Sequence, residues 1–180
     1  MTVKIVTDSS CDLPDALVGE LGIAVVPLKI RFGTEELVDR VDLSPAEFWA
    51  RCSTSAELPS TAAPAPGAFE EVFRNAAAAG AEGVMCVVLS SKLSATGESA
   101  QAAARAVADV VPVKVVDSLS VSLGHGVMAV QAARRVAHVL VDAEAQHELV
   151  ARALGPALGV ERADMAVEGG LGAVAVEMAS

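Results

Sequence analysis

The sequence predicts an α/β protein with three layers, α/β/α, and a mainly parallel sheet at its centre. Short apolar runs alternate along the chain with stretches of helix-forming residues, a rhythm typical of parallel sheets that are covered by helices. The run Gly83–Leu89 is apolar throughout, as expected for a strand that helices cover on both faces. Hydrophobic residues make up 53% of the 180 residues, which is ample for the core of one domain.

The predicted strands are short runs rich in β-branched residues, and polar or turn-forming residues bound them. The segment Leu58–Gly67 holds three prolines and is predicted to be irregular, because proline lacks the N–H that regular structure needs. In chain order, the strands are expected at Val3–Thr7, Ile23–Phe32, Gly83–Leu89, Pro112–Val116 and Ala137–Val141, with two weaker candidates within Val160–Met178.

The predicted helices begin at capping residues, and glycine follows some of them. The clearest start is at Ser44, a good N-cap, with Pro45 at the first helical position and Glu47 in the first turn. In chain order, the helices are expected at Pro14–Leu21, from Pro45 onward, and at Ala68–Ala79, Ala95–Val110, Gly126–Val136 and Ala143–Leu154.

Composition excludes several functional classes. The chain has 13 basic and 23 acidic residues and only 3% aromatic residues, so neither clustered cations nor stacking platforms are available for nucleic acid. No apolar stretch reaches the length of about 20 residues that spans a bilayer, and the N-terminus reads as a strand rather than as a signal segment. Three widely spaced cysteines without a CxxC pattern predict a reduced, cytoplasmic protein with no metal site.

Hydroxyl side chains are concentrated where three predicted strands end. In parallel sheets these ends meet at one edge, where ligands bind. Neutral donors near helix N-termini favour a single anion such as a carboxylate. Each Ser or Thr taken alone is most often a helix cap, and it is the repetition that indicates a site. The hydroxyl-rich segments are Thr7–Ser10, Ser90–Thr96 and Asp117–Ser122, and the proline-rich segment adds Ser60 and Thr61.

Other familiar motifs are absent or weak. The sequence has neither a GxSxG elbow nor a phosphate-binding Walker loop. Gly124, Gly126 and Ala129 have the spacing of a dinucleotide fingerprint, but the loop from Val116 is too long for the required tight turn, which argues against a nucleotide site.

Five ordered motifs resemble those of the DegV family of lipid-binding proteins. The proline-rich segment resembles its LPTTSQPSPG loop, the next motif resembles SSGLSGTYQSA, and the last resembles DSRSASMGLG. Together they are specific, although each alone would be weak. In order, the motifs are Val6–Ser9 with Asp12–Pro14, Ile23–Leu28 with Asp42–Ser44, Leu58–Gly67, Ser90–Thr96 and Asp117–Gly126.

The resemblance implies a non-enzymatic acyl carrier that binds a long-chain fatty acid such as palmitate and presents it to a fatty-acid kinase. By motif match, Thr61 and Ser94 hold the carboxylate. The resemblance also implies that residues 1–136 form the family's N-terminal α/β domain, and that residues 137–180 are a remnant of its C-terminal domain packed on the first. No metal or other cofactor is expected. Further residues expected to line or brace the site are Asp8, Ser9, Ser60, Ser91, Ser118 and Gly124.

Two other functions remain open from the sequence. A small enzyme would use Asp8 and His125 as acid and base and would hold them within about 3 Å of each other. A degenerate family member would bind no ligand and act as an interaction module. Because the chain is short and apolar, a homodimer in which a second copy covers an exposed apolar cleft is a further expectation.

Overall fold

A parallel sheet between two layers of helices organises the computed structural model, which describes residues 2–137. The three-layer α/β architecture predicted from the sequence is therefore confirmed. In chain order the elements are β1 (Val3–Asp8), a short 3-10 helix (Ser9–Cys11), α1 (Asp15–Glu20), β2 (Ala24–Val26), β3 (Lys29–Phe32), β4 (Glu35–Val38), α2 (Pro45–Thr54), β5 (Ser60–Ala62), α3 (Pro66–Ala78), β6 (Gly83–Val88), α4 (Thr96–Ala106), β7 (Val113–Asp117) and α5 (residues 123–137).

The central sheet has the strand order β2-β1-β6-β7, and all of its pairings are parallel. Strand β1 lies inside the sheet, with Val6 opposite Ala24 on one side and opposite Cys86 on the other. Strand β6 is almost fully buried, as its apolar composition predicts. The carboxyl ends of β1, β6 and β7 therefore meet at the same edge.

Two apolar clusters cover the two faces of this sheet. Helices α3 and α4 pack on one face, where Phe69 and Phe73 contact the alanines of α4. Helices α1 and α5 pack on the other face, where Ala129 and Val130 meet Ile5 of β1. The small alanine side chains of these helices allow close packing on the sheet.

A second, antiparallel sheet with the order β4-β3-β5 was not predicted. The expected single strand Ile23–Phe32 is wrong, because it divides into β2 and β3, which belong to different sheets. The break falls at Pro27, which has no N–H to donate, while the N–H of Leu28 is donated to the hydroxyl of Ser9 at 3.0 Å. Helix α2 covers this sheet through Phe48, whose ring lies 6.1 Å from that of Phe32.

The prediction that Leu58–Gly67 is irregular is also wrong in part. Ser60–Ala62 form β5, an edge strand that pairs with β3, and Pro66 begins α3. Prolines at both flanks are compatible with this arrangement, because an edge strand of three residues leaves them outside the ladder.

The other elements predicted within residues 2–136 are confirmed, with shifted ends. Ser44 caps α2 in a complete capping box with Glu47. Helix α4 is shorter than the predicted Ala95–Val110, while α5 begins three residues before the predicted Gly126. Ala137, the first residue of a predicted strand, is helical.

Every other prediction for residues 138–180, including the remnant of a second domain, lies outside the described residues. Within residues 2–137, no helix combines the length and the apolar character needed to cross a membrane.

Candidate functional site

The carboxyl edge of the parallel sheet gathers the loops that the sequence singled out. Helices α4 and α5 begin at this edge because they follow β6 and β7. Helix α3 ends at the opposite edge, where Asn75 and Ala79 lie beside Thr2. Because α3 has 13 residues and is therefore about 20 Å long, it also begins towards the carboxyl edge.

Asp8, at the end of β1, joins two of these loops. Its side chain has no exposed surface. One carboxylate oxygen, Oδ1, accepts hydrogen bonds from the N–H and the hydroxyl of Ser10, at 3.1 Å and 2.6 Å. The other, Oδ2, accepts from the N–H of Leu89 at 2.9 Å. Asp8 is thus a bracing residue that ties the end of β1 to the loop after β6.

His125, in the first turn of α5, lies against the same carboxylate. Its Nε2 atom is 3.4 Å from Asp8 Oδ1, and the His125 side chain is also fully buried. Neither ring nitrogen of His125 makes a hydrogen bond within residues 2–137. The two atoms are therefore within ion-pair distance but lie too far apart for an ordinary hydrogen bond.

The environment lowers the pKa of Asp8 below its ordinary value of 3.8. Burial acts in the opposite direction and raises it, but the contact with His125 and the hydrogen bonds from Ser10 and Leu89 outweigh burial. The carboxylate is therefore held in its charged form, so it accepts hydrogen bonds and repels another anion.

Ser9 and Ser118 are also bracing residues. The hydroxyl of Ser9 is buried and accepts from the N–H of Leu28, which links β1 to the segment before β3. The hydroxyl of Ser118 lies in the loop after β7, where it accepts from the N–H of Ser120 at 3.1 Å. Neither side chain is placed to be the principal contact of a ligand.

The loops after β6 and β7 are joined directly. Asp117 accepts from the N–H groups of Ser91 and Leu119, at 3.2 Å and 2.9 Å, and the N–H of Ser90 is donated to the carbonyl of Ser120 at 2.8 Å. The hydrogen bond from Ser91, followed by that from Leu119, lowers the pKa of Asp117. Ser91 itself is exposed, so it lies at the rim of the site.

Ser94 lies at the N-terminus of α4. Its Oγ is 2.9 Å from Oγ1 of Thr96 and accepts from the Thr96 N–H at 3.3 Å. When Thr96 acts as the donor between the two hydroxyls, the Ser94 proton is free for a ligand oxygen. Ser94 is half-buried, whereas Thr96 is fully buried, and sequence reasoning did not single out Thr96 as its support.

Ser60 and Thr61 lie on β5, in the second sheet. Thr61 is opposite Ile30 of β3, and both hydroxyl residues are exposed. No hydrogen bond joins either of them to the loops after β1, β6 or β7 within residues 2–137. Four residues lie between Thr61 and Pro66 at the start of α3, so the two residues are at most about 18 Å apart along an extended chain.

The two glycines of the last motif allow close packing. A Cβ atom at Gly126 would lie 2.4 Å from the carbonyl oxygen of Cys11. At Gly124 a Cβ would lie 2.0 Å from the hydroxyl of Ser120. Gly126 therefore lets α5 pack against the segment that follows β1, and Gly124 lets it pack against the loop after β7. These packing roles agree with the sequence argument against a nucleotide site.

Exposed apolar side chains surround the joined loops, and sequence reasoning did not identify them. A run of them lies between the end of β7 and the first turns of α5, and another lies in the loop after β6. In the described part of the chain, no group of three or more His, Cys, Asp or Glu residues is arranged to hold a metal ion. The exposed apolar residues, named here the apolar rim, are Leu93, Leu119, Val121, Leu123, Val127 and Met128.

Comparisons with a family model and with individual relatives identify the same family. The sequence model described as "Uncharacterised protein, DegV family" matches residues 2–145. A DegV domain-containing protein of Caldanaerobacter subterraneus is 34% identical over 148 residues, which cover 82% of this chain and 50% of that protein.

Solved structures show the same relationship. A DegV family protein from Thermus thermophilus, described as fatty-acid binding, has 36% identity and a TM-score of 0.69 over 77% of this chain and 48% of its own. The Fatty Acid Kinase (Fak) B3 protein of Streptococcus pneumoniae, solved with linoleic acid, has 28% identity and a TM-score of 0.55 over 68% of this chain and 43% of its own. The chain thus spans about half the length of the relatives that it matches.

Proposed function

The chain belongs to the DegV family, and from that premise we propose that it binds a long-chain fatty acid and carries it to a separate enzyme without catalysing a reaction. The observation that carries the proposal is the pairing of free hydroxyls with exposed apolar surface at one edge of the sheet. The hydrogen bonds between the loops after β6 and β7 bring Ser91 and Ser94 next to the apolar rim. An amphiphile with a carboxylate head and an apolar tail has the matching chemistry.

In this proposal Thr61 and Ser94 donate to the carboxylate, as the family resemblance implies. Both are at least partly exposed, and Ser94 sits at a helix N-terminus, where an anion is favoured. Ser60 is the neighbour of Thr61 on β5, and Ser91 lies in the same loop as Ser94. The other expected residues act behind the ligand: Asp8 and Ser9 brace the loops from below, Ser118 shapes the loop after β7, and Gly124 lets α5 approach it.

The tail supplies most of the binding free energy. Each buried methylene contributes about 0.8 kcal/mol, and each hydrogen bond to a charged group adds about 1.5–3 kcal/mol. The carboxylate contacts therefore set the orientation of the lipid, while the apolar rim sets the affinity. A palmitate-length tail would also need cover from outside the described residues to lose most of its contact with water.

The proposed partner is a fatty-acid kinase. The similar pneumococcal protein is named for such a kinase and was solved with linoleic acid, and the Thermus protein is described for fatty-acid binding. A carrier that holds the carboxylate at the edge of a sheet presents the group on which a kinase would act. The three cysteines are free, which suits the cytoplasm as the proposed location.

The alternative of an Asp8–His125 enzyme has one observation in its favour. The two side chains lie 3.4 Å apart, close to the distance that an acid–base pair needs. Neither side chain exposes any surface, however, so a substrate would have no contact with the reacting atoms. Burial therefore favours the carrier. If lipid extraction of the purified protein recovers no fatty acid, the result would instead favour a degenerate family member that binds no ligand and acts as an interaction module.

Replacing both hydroxyls that are proposed to donate to the fatty-acid carboxylate tests the proposed carrier function. We expect Thr61→Val together with Ser94→Ala to weaken palmitate binding at least about a hundredfold, because each lost hydrogen bond to a charged group costs about 1.5–3 kcal/mol and about 1.4 kcal/mol corresponds to tenfold. The measurement is a palmitate titration of the delipidated 180-residue chain, with native mass spectrometry of the protein as purified to identify its lipid.

A matched control changes the same residue types elsewhere. Thr34→Val with Ser53→Ala alters an exposed turn and an exposed position of α2, and this variant should bind palmitate as the wild type does. If the purified chain carries no fatty acid and does not bind palmitate, the proposal fails. If the Thr61 and Ser94 variant binds as the wild type does, the assignment of the donors fails.

We also propose that a second copy of the chain covers the apolar rim in the absence of lipid. Six large apolar side chains, each between 43% and 68% exposed, make up this surface, more than isolated surface residues require. Sedimentation velocity of the delipidated chain should show a dimer, and Leu123→Glu with Val127→Glu should give a monomer. A delipidated wild-type chain that stays monomeric would contradict the proposal.

A further inference from the structure

One buried carboxylate connects the start of α5 to the loop that carries Ser94. Asp8 Oδ1 faces Ser10 and His125, and Asp8 Oδ2 faces the N–H of Leu89. Because the two oxygens belong to one rigid planar group, a shift of the carboxylate towards or away from His125 also moves the acceptor that Leu89 uses. Three segments of the chain therefore share this one group.

The connection continues from Leu89 to Ser94 through the backbone. Ser90 follows Leu89, and its carbonyl accepts from the N–H of Leu93 at 2.9 Å and from the N–H of Ser94 at 3.2 Å. The position of Ser94 is thus set by the turn that starts at Leu89. An anchor at the Leu89 N–H fixes the whole turn relative to the sheet.

In the described part of the chain, His125 is the one basic side chain within ion-pair distance of Asp8. It is fully buried, and its nitrogens have no hydrogen bond there, so the Asp8 carboxylate is its polar contact. The close approach of Gly126 to Cys11 holds the first turn of α5 in place. Because the His125 ring is fully buried, it cannot move away from Asp8 without displacing the atoms packed around it.

We propose that His125 is a positioning residue for the carboxylate site: it holds Asp8 against the Leu89 N–H and so fixes the turn that presents Ser94. This inference rests on the proposed function for its effect on the ligand, but its effect on the turn is independent of any ligand. Without His125 the buried Asp8 charge would lack its partner, and the turn would open more often.

The test compares three variants of the 180-residue chain. His125→Leu fills the space but donates no hydrogen bond, and His125→Gln keeps an N–H that can reach Asp8. Gln131→Leu makes the same kind of change at an exposed position of α5 and serves as the control. Hydrogen exchange of the Leu89 amide is measured without ligand, since local opening sets its rate, and palmitate affinity is measured separately.

We expect His125→Leu to speed exchange at Leu89 at least tenfold and to weaken palmitate binding at least tenfold. His125→Gln should restore both to within about threefold of the wild type, and Gln131→Leu should change neither. Restoration by glutamine separates positioning from a general loss of packing. If His125→Leu does not fold, His125→Asn, whose amide stops short of Asp8, takes its place with the same expected result.

Two results would overturn the inference. The first is an unchanged Leu89 exchange rate in a folded His125→Leu or His125→Asn variant. The second is a His125→Gln variant as perturbed as His125→Leu. If the wild type binds no palmitate, the proposed function fails and the claimed effect on affinity is overturned with it, while the exchange rates alone still decide whether His125 fixes the turn.

Discussion

Asp8→Ala is expected to lower the free energy of unfolding by about 3–5 kcal/mol, the range for removing one partner of a buried charged group. The variant leaves the N–H groups of Ser10 and Leu89 without their acceptor and leaves His125 without its polar contact. Urea unfolding at neutral pH measures the loss. Because β1 lies inside the parallel sheet, the effect should be global rather than local.

Asp117→Ala is the matched control, because this carboxylate also ends a strand of the same sheet and also accepts two backbone N–H groups. Asp117 is exposed, so water can replace its carboxylate as the acceptor for the two N–H groups. The loss of stability should therefore be clearly smaller than for Asp8→Ala. Equal losses for the two variants would contradict the importance that we give to the burial of Asp8.

The Asp8 contribution should also depend on pH in a defined direction. Since folding lowers the pKa of this group below 3.8, its stabilisation is present at pH values above the unfolded-state pKa. It is lost as the pH falls below 3.8 through the folded-state pKa. The difference in unfolding free energy between wild type and Asp8→Ala should therefore shrink in acid, and a difference that stays constant down to about pH 2 would contradict this.

Gly126→Ala is expected to destabilise the protein by about 3 kcal/mol, at the upper end of the usual range for overpacking. The new methyl group would lie 2.4 Å from the carbonyl oxygen of Cys11 and 3.1 Å from the side chain of Leu13. The carbonyl belongs to the short 3-10 helix after β1 and cannot rotate away as a side-chain tip can. Either α5 or the end of β1 must shift, and thermal unfolding would detect the cost.

Gly67→Ala provides the control, since nothing lies within 4 Å of a Cβ atom at this position in α3. Alanine there should stabilise the protein by about 0.4–1 kcal/mol by restricting the unfolded chain. Gly124→Ala should fall between the two, because its closest contact is the hydroxyl of Ser120, which can rotate. A Gly126→Ala variant as stable as Gly67→Ala would show that the close approach to Cys11 does not constrain the fold.

Helices and strands could be predicted from neighbouring residues where the packing of the folded chain favours the same structure as those residues do. The predicted strand Gly83–Leu89 is observed as the buried strand Gly83–Val88, because an unbroken apolar run suits a strand that is covered on both faces. Ser44 and Glu47 became a capping box because both partners lie within one helical turn. Prediction failed where pairing between distant strands decided the structure. The run Ile23–Phe32 is divided between two sheets, and Ser60–Ala62, which lie between prolines, form an edge strand.

The candidate site could also be predicted from the sequence only in part. The hydroxyl-rich loops could be placed at one edge from the order of the strands alone, and the family could be inferred from the same residues. Which hydroxyls face a ligand could not be inferred, because Ser9 and Ser118 turned inward to backbone groups while Ser91 stayed exposed. That choice depends on which N–H groups the neighbouring loops leave without partners.

By itself, the sequence determined the parallel sheet and its covering helices, and it predicted the edge at which we propose that a ligand binds. These depend on apolar periodicity, caps and the order of strands, all of which act over short distances along the chain. Only the tertiary structure decided that Asp8 and His125 form a buried pair, and that a second sheet carries Thr61. Residues 8 and 125 are brought together by the packing of α5 on β1, and no local pattern encodes a contact between such distant positions.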